Sequence, residues 1–173
     1  TPTLSIEPVS DSISFLNYDT GYVIGEYVSQ NAVYGMILKT VNGGTTWAPL
    51  PIVHYKYFNS ACFVNSTTGY IAGGDSLNNG LLLKTTDGGF NWQYEYVPSN
   101  SRMMSIQFLN NNLGWAAGGN GHILKTTNGG DNWSFQSSGV SQELREIYFI
   151  NENEGWAVGL GGVILHTTNG GTN

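Results

Sequence analysis

At 173 residues the chain is long enough for one domain with a sizeable core, and it holds 24 glycines and 13% aromatic residues. Only 10% of its residues are charged and the net charge is −6, where a typical soluble domain is about 25% charged. The acidic balance excludes a basic nucleic-acid footprint. No apolar run reaches the ~18 residues of a membrane-spanning helix, and the lone Cys62 excludes an internal disulfide.

In chain order, the run Leu4-Ser5-Ile6-Glu7-Pro8-Val9 alternates like a strand but belongs to no repeat unit. Four similar units follow. The first holds Phe15-Leu16-Asn17, then Gly21-Tyr22-Val23-Ile24-Gly25, then Met36-Ile37-Leu38, then the turn Thr40-Val41-Asn42-Gly43-Gly44-Thr45-Thr46-Trp47. The second repeats this as Phe63-Val64-Asn65, Gly69-Tyr70, Leu81-Leu82-Leu83 and the box Thr85, Asp87, Gly88, Gly89, Trp92. The third has Phe108-Leu109-Asn110, Gly114-Trp115, Ile123-Leu124 and Thr126, Asn128, Gly129, Gly130, Trp133. The fourth has Phe149-Ile150-Asn151, Gly155-Trp156, Val163-Ile164-Leu165 and Thr167, Asn169, Gly170, Gly171, one residue short of the next tryptophan.

The tryptophans recur at spacings of 45 and 41 residues. Each unit holds four short apolar runs bounded by Gly, Asn, Asp and Thr, which read as strands and turns. Four strands in a unit of this length is the arithmetic of a propeller blade. The expected fold is all-β: one propeller domain over 1–173, with four four-stranded blades near 11–57, 58–102, 103–143 and 144–173 plus 1–10. Helical periodicity is missing, so at most one helical turn is expected, over 142–146. Leu4, Ile6 and Val9 stand where a fourth strand precedes each later Phe run. They are expected to complete the last blade, within the chain or from a neighbouring one; a piece of a longer propeller would show the same ends.

The box Thr-x-Asn/Asp-Gly-Gly-x-x-Trp resembles the Asp-box (BNR) repeat. Together with Gly155-Trp156-Ala157-Val158-Gly159 and Ile123-Leu124-Lys125-Thr126-Thr127-Asn128-Gly129-Gly130, it resembles propellers of the photosystem II stability/assembly-factor type. The resemblance implies a propeller that binds a partner through one face. Asn stands for Asp at 42, 128 and 169, and the arginine expected before the Phe strand is present as Arg145, loosely as Arg102, and in neither of the first two units.

The residue chemistry points away from catalysis and cofactors. A sialidase-like site needs several arginines, and the chain has two, Arg102 and Arg145. Glu143 with Glu146, and Glu152 with Glu154, fall in loops where solvated charge is the ordinary reading. Each box offers one carboxylate or none, too few oxygens for calcium, so the boxes read as turns locked by an Asn or Asp side chain. His54, His122 and His166 share no metal-ligand spacing. Lys39, Lys84 and Lys125 precede the first three boxes and His166 the fourth, giving with Arg102 and Arg145 a candidate partner face. Cys62 reads as a small buried residue. Asn65 and Asn132 are formal N-glycosylation sequons, and Ser12 and Ser76 sit in Asp-Ser-aliphatic motifs that invite O-glycosylation.

The resulting expectation is a non-enzymatic, secreted or cell-surface propeller serving as a structural or protein-interaction module, including a subunit of an extracellular fibre. Its partners would be proteins, further copies through strand completion, or glycans. Alternatives are an assembly-factor-like partner-binding propeller and a glycan-binding or glycan-cleaving module. Thr1, with no signal-like segment after it, is what a mature, processed chain would show.

Overall fold

In a computed structural model the four units form four antiparallel sheets; the structure describes residues 9–29, 32–51, 57–75, 77–97 and 99–172. Sheet one is the meander β1 (Val9–Phe15), β2 (Gly21–Ser29), β3 (Ala32–Thr40) and β4 (Ala48–Pro49). Sheet two holds β5 (Tyr57–Phe63), β6 (Gly69–Gly74), β7 (Gly80–Thr85) and β8 (Gln93–Glu95). Sheet three holds β9 (Met103–Phe108), β10 (Gly114–Gly118), β11 (Ile123–Thr126) and β12 (Ser134–Gln136). Sheet four holds β13 (Leu144–Phe149), β14 (Gly155–Gly159) and β15 (Ile164–Thr167). This is an all-β propeller architecture, with short 3-10 turns at Gly119–Gly121 and Leu160–Gly162.

The Gly-aromatic pairs explain how the sheets stack. Each first strand ends in a Phe paired with the glycine that opens the second strand: Phe15 with Gly21, Phe63 with Gly69, Phe108 with Gly114, Phe149 with Gly155. A Cβ on any of these glycines would strike the phenyl ring. The ring lies flat on the aromatic residue of the preceding sheet: Tyr22 on Phe63 at 3.5 Å, Tyr70 on Phe108 at 3.7 Å, Trp115 on Phe149 at 3.7 Å. The box tryptophan of the same sheet meets the Phe edge-on, Trp92 at 6.0 Å and Trp133 at 5.8 Å. Around these stacks, three apolar clusters fill the gaps between sheets one and two, two and three, and three and four. Among the described residues the far faces of the end sheets are uncovered: Phe15, met edge-on by Trp47, is 47% exposed and Ile164 is 74% exposed.

One expectation needs correction. Val9 pairs with Glu26 inside sheet one, so it does not lie in the last blade; the nine-residue β2 is long enough to hold it. Leu4 and Ile6 lie outside the described residues. No helical turn forms over 142–146, because Leu144 and Glu146 are drawn into β13 opposite Gly159 and Val158.

Candidate functional site: the face built by the first strands

The boxes are closed hydrogen-bonded turns. In the first, Thr40 Oγ1–H donates to Asn42 Oδ1 (3.0 Å), Gly44 N–H donates to Thr40 Oγ1 (2.9 Å), and Thr46 N–H donates to Asn42 Oδ1 (2.9 Å). The second uses Thr85, Asp87, Gly89 and Asn91 in the same way and the third Thr126, Asn128, Gly130 and Asn132; in the fourth, Thr167 joins Asn169 and Gly171 alike, and the N–H reaching Asn169 Oδ1 is that of Thr172, one residue earlier. The lock needs one side-chain carbonyl-type oxygen, which Asn supplies as well as Asp. Both glycines of each box take positive φ, from 67° at Gly43 to 93° at Gly89. The first of them ties the box to the Asn turn of its own sheet: Gly43 N–H to Asp19 O, Gly88 to Thr67, Gly129 to Asn112, Gly170 to Asn153.

The lysines turn to the next sheet's box. Lys84 pairs with Asp131 (2.8 Å), Lys125 Nζ donates to Gly170 O (3.0 Å), and Lys39 lies over the Tyr22 and Phe90 rings. Tyr70, its phenol pushed up to about 12 by burial and then by the Glu95 and Asp131 charges, stays protonated and donates to Gly129 O. His166 stacks on Trp156 and faces Glu154 at 3.5 Å, and His122 Nδ1 lies 2.7 Å from Ser99 Oγ. His54 and Ser76 lie outside the described residues. These contacts join sheets and leave little of the lysine set free for a partner.

The first strands of the sheets hold what the sequence reading missed. Ser12 and Ser14 accept the Ala61 and Phe63 N–H groups of the next first strand (3.2 and 3.3 Å). Ser60 and Cys62 do the same for Ile106 and Phe108, and Ser105 and Gln107 for Ile147 and Phe149. The pattern Ser-x-polar-Phe was the available signal: Ser12-Ile13-Ser14-Phe15, Ser60-Ala61-Cys62-Phe63, Ser105-Ile106-Gln107-Phe108. Burial raises the Cys62 thiol pKa, which keeps the sulfur neutral as an acceptor.

Each first strand also carries a β-bulge at one repeat position, and the inserted residues are Asp11, Asn59, Met104 and Arg145. A bulge re-aims the extra side chain away from the pleat. All four line one cavity of about 660 Å³ formed by the first strands of all four sheets. Met104 and Arg145 also line a neighbouring cavity of about 490 Å³, where Arg102 joins them. The Arg102 guanidinium lies 4.1 Å from the Tyr57 ring centre, with a buried Nε that has no hydrogen-bond partner among the described residues. Arg145 Nε reaches Glu143 at 3.1 Å and is 59% exposed. Burial raises the Asp11 carboxyl; burial, then the Asp11 charge, raises Glu26 against the opposing pull of Arg102.

The face therefore gathers two guanidinium groups, amide and thioether side chains, and carboxylates. The carboxylates weighed for catalysis are engaged elsewhere: Glu143 with Arg145, Glu146 with Ser105 Oγ (2.8 Å), Glu154 with His166. Among the described residues no three His, Cys, Asp or Glu side chains gather as metal ligands. Of the modification candidates, Ser12 and Asn65 are held in hydrogen bonds, Asn65 Oδ1 capping its own turn, while Asn132 sits in the third box.

Comparisons with known proteins agree with the propeller fold. Residues 91–173 match the family model for "Photosynthesis system II assembly factor YCF48". A structure of YCF48 bound to D1 peptide is 25% identical, with TM-score 0.70 over 91% of this chain and 48% of that one. The chain thus spans about half the length of that structure. YCF48 from Cyanidioschyzon merolae is 18% identical with TM-score 0.57 over 96% of this chain and 69% of that chain. The GH74 enzyme of Niastella koreensis is 15% identical with TM-score 0.67 over 95% and 30%; at that identity the likeness is one of fold alone. No curated protein matches the chain. The expected extracellular or cell-surface location is overturned by the match to an assembly factor of photosystem II. Low charge misled because the abundant Asn, Thr and Ser serve the box and turn locks, a demand of the fold in any compartment.

Proposed function

We propose that this chain, a BNR-type propeller resembling the photosystem II assembly factor, is a non-enzymatic binding module for a protein partner. The partner presents an extended segment to the face built by the first strands, and an acidic group of that segment meets Arg145 and Arg102. The observation that carries this reading is the coincidence of four bulges, which turn Asp11, Asn59, Met104 and Arg145 into one cavity. Support for the partner class comes from the YCF48 structure, which holds a D1 peptide. Nothing in the comparisons favours a secreted structural role, a fibre, self-association or a glycan partner.

Arginine suits this role because its planar fork binds a carboxylate through two charge-assisted hydrogen bonds. Arg102 is preorganised by its stack on Tyr57. Fluorescence anisotropy with labelled acidic and neutral peptides tests the reading. Acidic peptides should bind with a salt-dependent affinity, and Arg145→Ala should cost about tenfold or more, near the ~1.5–3 kcal/mol of a charged hydrogen bond. Equal binding by wild type and by the double variant Arg102→Ala/Arg145→Ala would remove this face from consideration.

A further inference from the structure

The junctions between consecutive sheets are built from the same repeat positions. At the box end of the strands, sheets two and three are tied by Lys84 to Asp131 (2.8 Å) and by the Tyr70 hydroxyl to Gly129 O (2.9 Å). Sheets three and four are tied by Lys125 Nζ to Gly170 O (3.0 Å) and by Trp115 Nε1–H to the same carbonyl (3.4 Å). Among the described residues, sheets one and two have neither tie. Lys39 Nζ lies 5.1 Å from the Tyr22 ring centre and 5.9 Å from that of Phe90, and no oxygen of the described residues accepts from it. The Tyr22 hydroxyl is buried and has no hydrogen-bond partner among the described residues.

The exposed residues around Lys39 depart from the repeat in the same direction. Val41 stands where Thr86 and Thr127 follow the other two lysines, and Phe90 stands where Asp131 and Thr172 follow the paired glycines of the next box. Lys125 and Thr127 line one cavity of about 550 Å³ between sheets three and four, which places Val41 beside Lys39 in the equivalent groove between sheets one and two. Val41 is 68% exposed and Phe90 56% exposed. The box locks do not ask for either side chain: they run through Thr40, Asn42 and Gly44 in the first box and Thr85, Asp87 and Gly89 in the second. One junction of three therefore sets two apolar side chains in water around an ammonium group with no anion. Adjoining apolar exposure rimmed by polar groups marks a contact surface.

We propose that this junction is a second docking surface, for a segment of a partner protein in which an Asp or Glu adjoins an apolar side chain. The carboxylate accepts from Lys39 Nζ, in the place that Asp131 takes for Lys84, and the apolar side chain lies across Val41 and Phe90. Charge complementarity fixes the acid. The ammonium rests on two aromatic rings, which strip it of part of its water, and a carboxylate gains more from such a charge than from a fully solvated one. The surface stands at the opposite end of the strands from the arginine face. In sheet three, β9 begins just after Arg102 and ends at Phe108, beside the Asn turn that is tied to the third box.

The test uses the 173-residue chain carrying Arg102→Ala/Arg145→Ala, so that the arginine face contributes nothing. A phage-displayed library of random peptides is selected on it, and the enriched peptides are synthesised, labelled and titrated by fluorescence anisotropy. They are expected to set Asp or Glu next to Leu, Ile, Phe or Trp. Lys39→Gln should weaken them about tenfold or more, the scale of a lost charge-assisted hydrogen bond, and high salt should shrink that difference. Val41→Thr/Phe90→Asp copies the junction of sheets two and three, which gives the lysine a carboxylate of its own, and should abolish binding with the fold kept by circular dichroism. If that double variant does not fold, Lys39→Gln decides. No enrichment, an enriched set without acidic residues, or equal affinity for the Lys39→Gln chain overturns the proposal.

Discussion

Replacing Phe108 by alanine tests whether the aromatic stack between sheets is the main source of their cohesion. Phe108 is 7% exposed, lies flat on Tyr70 at 3.7 Å and receives the edge of Trp133 at 5.8 Å. Removing a buried phenyl ring costs about 3–5 kcal/mol through lost transfer energy and the cavity left behind. That range includes two aromatic pairings of roughly 0.5–1.5 kcal/mol each. Phe15 is the internal control. It holds the same repeat position and pairs with Gly21, but it is 47% exposed and, among the described residues, its one aromatic contact is the edge of Trp47. With about half the ring already in water and one pairing in place of two, Phe15→Ala should cost about 1–2 kcal/mol. Urea unfolding followed by tryptophan fluorescence should show a midpoint shift for Phe108→Ala at least twice that for Phe15→Ala, at unchanged slope. Equal shifts would mean that the repeat position itself, and not burial between two sheets, sets the cost.

Other predictions follow from the locks. Thr85→Val keeps the shape of a side chain only 1% exposed but removes the hydroxyl that joins Asp87 and Gly89; a loss of about 1–3 kcal/mol is expected from the stranded Gly89 N–H, read as a drop in thermal midpoint. Asp87 has its carboxyl lowered from the ordinary 3.8 by the backbone and side-chain N–H groups of Asn91, then by Thr85. A lowered folded value gives stability that is present above pH 3.8 and lost as pH falls through the lowered value. Asp87→Asn, which copies the other three boxes, should therefore flatten the acid limb of the thermal midpoint below pH 4 and leave neutral pH nearly unchanged; an unaltered acid limb would exclude the box as its source. Lys84→Met removes a pair with Asp131, whose side chain is 64% exposed, so it should cost under about 1 kcal/mol and lose that effect at high salt.

The fold was largely legible because its local rules repeat. Thr, Asn or Asp, and paired glycines announced turns; Gly-aromatic pairs announced stacked sheets; the spacing announced blades. Legibility failed where pairing between distant residues decides the outcome. Val9 alternates with its neighbours as a free strand would, and only the length of β2 shows that it belongs opposite Glu26. Residues 142–146 carry no mark of the Leu144–Gly159 pairing that extends them. The lysines looked like one charged face because they share a repeat position, yet each is directed across a junction. Arg102 and Arg145 were visible as the only two arginines, but their shared cavity depends on the bulge at 145 and the turn after Gly118.

On the reading proposed above, Asp11, Asn59, Met104 and Arg145 separate recognition from stability. At the repeat positions that hold the molecule together, chemistry is nearly invariant: Phe, Gly, Thr, Asn or Asp, and a side chain that accepts an N–H from the next sheet. At the bulge position four units offer an acid, an amide, a thioether and a guanidinium. A bulged residue leaves the pleat and does not complete the strand pairing, although Asn59 Nδ2 donates across to Met103 O of the next sheet (2.8 Å). All four copies meet at one cavity. On the proposed reading, specificity for a partner is written there, one residue per blade, by a chain whose remaining residues repeat for the sake of packing. The same division explains why the repeated boxes, the most visible feature of the sequence, say so little about what the protein binds.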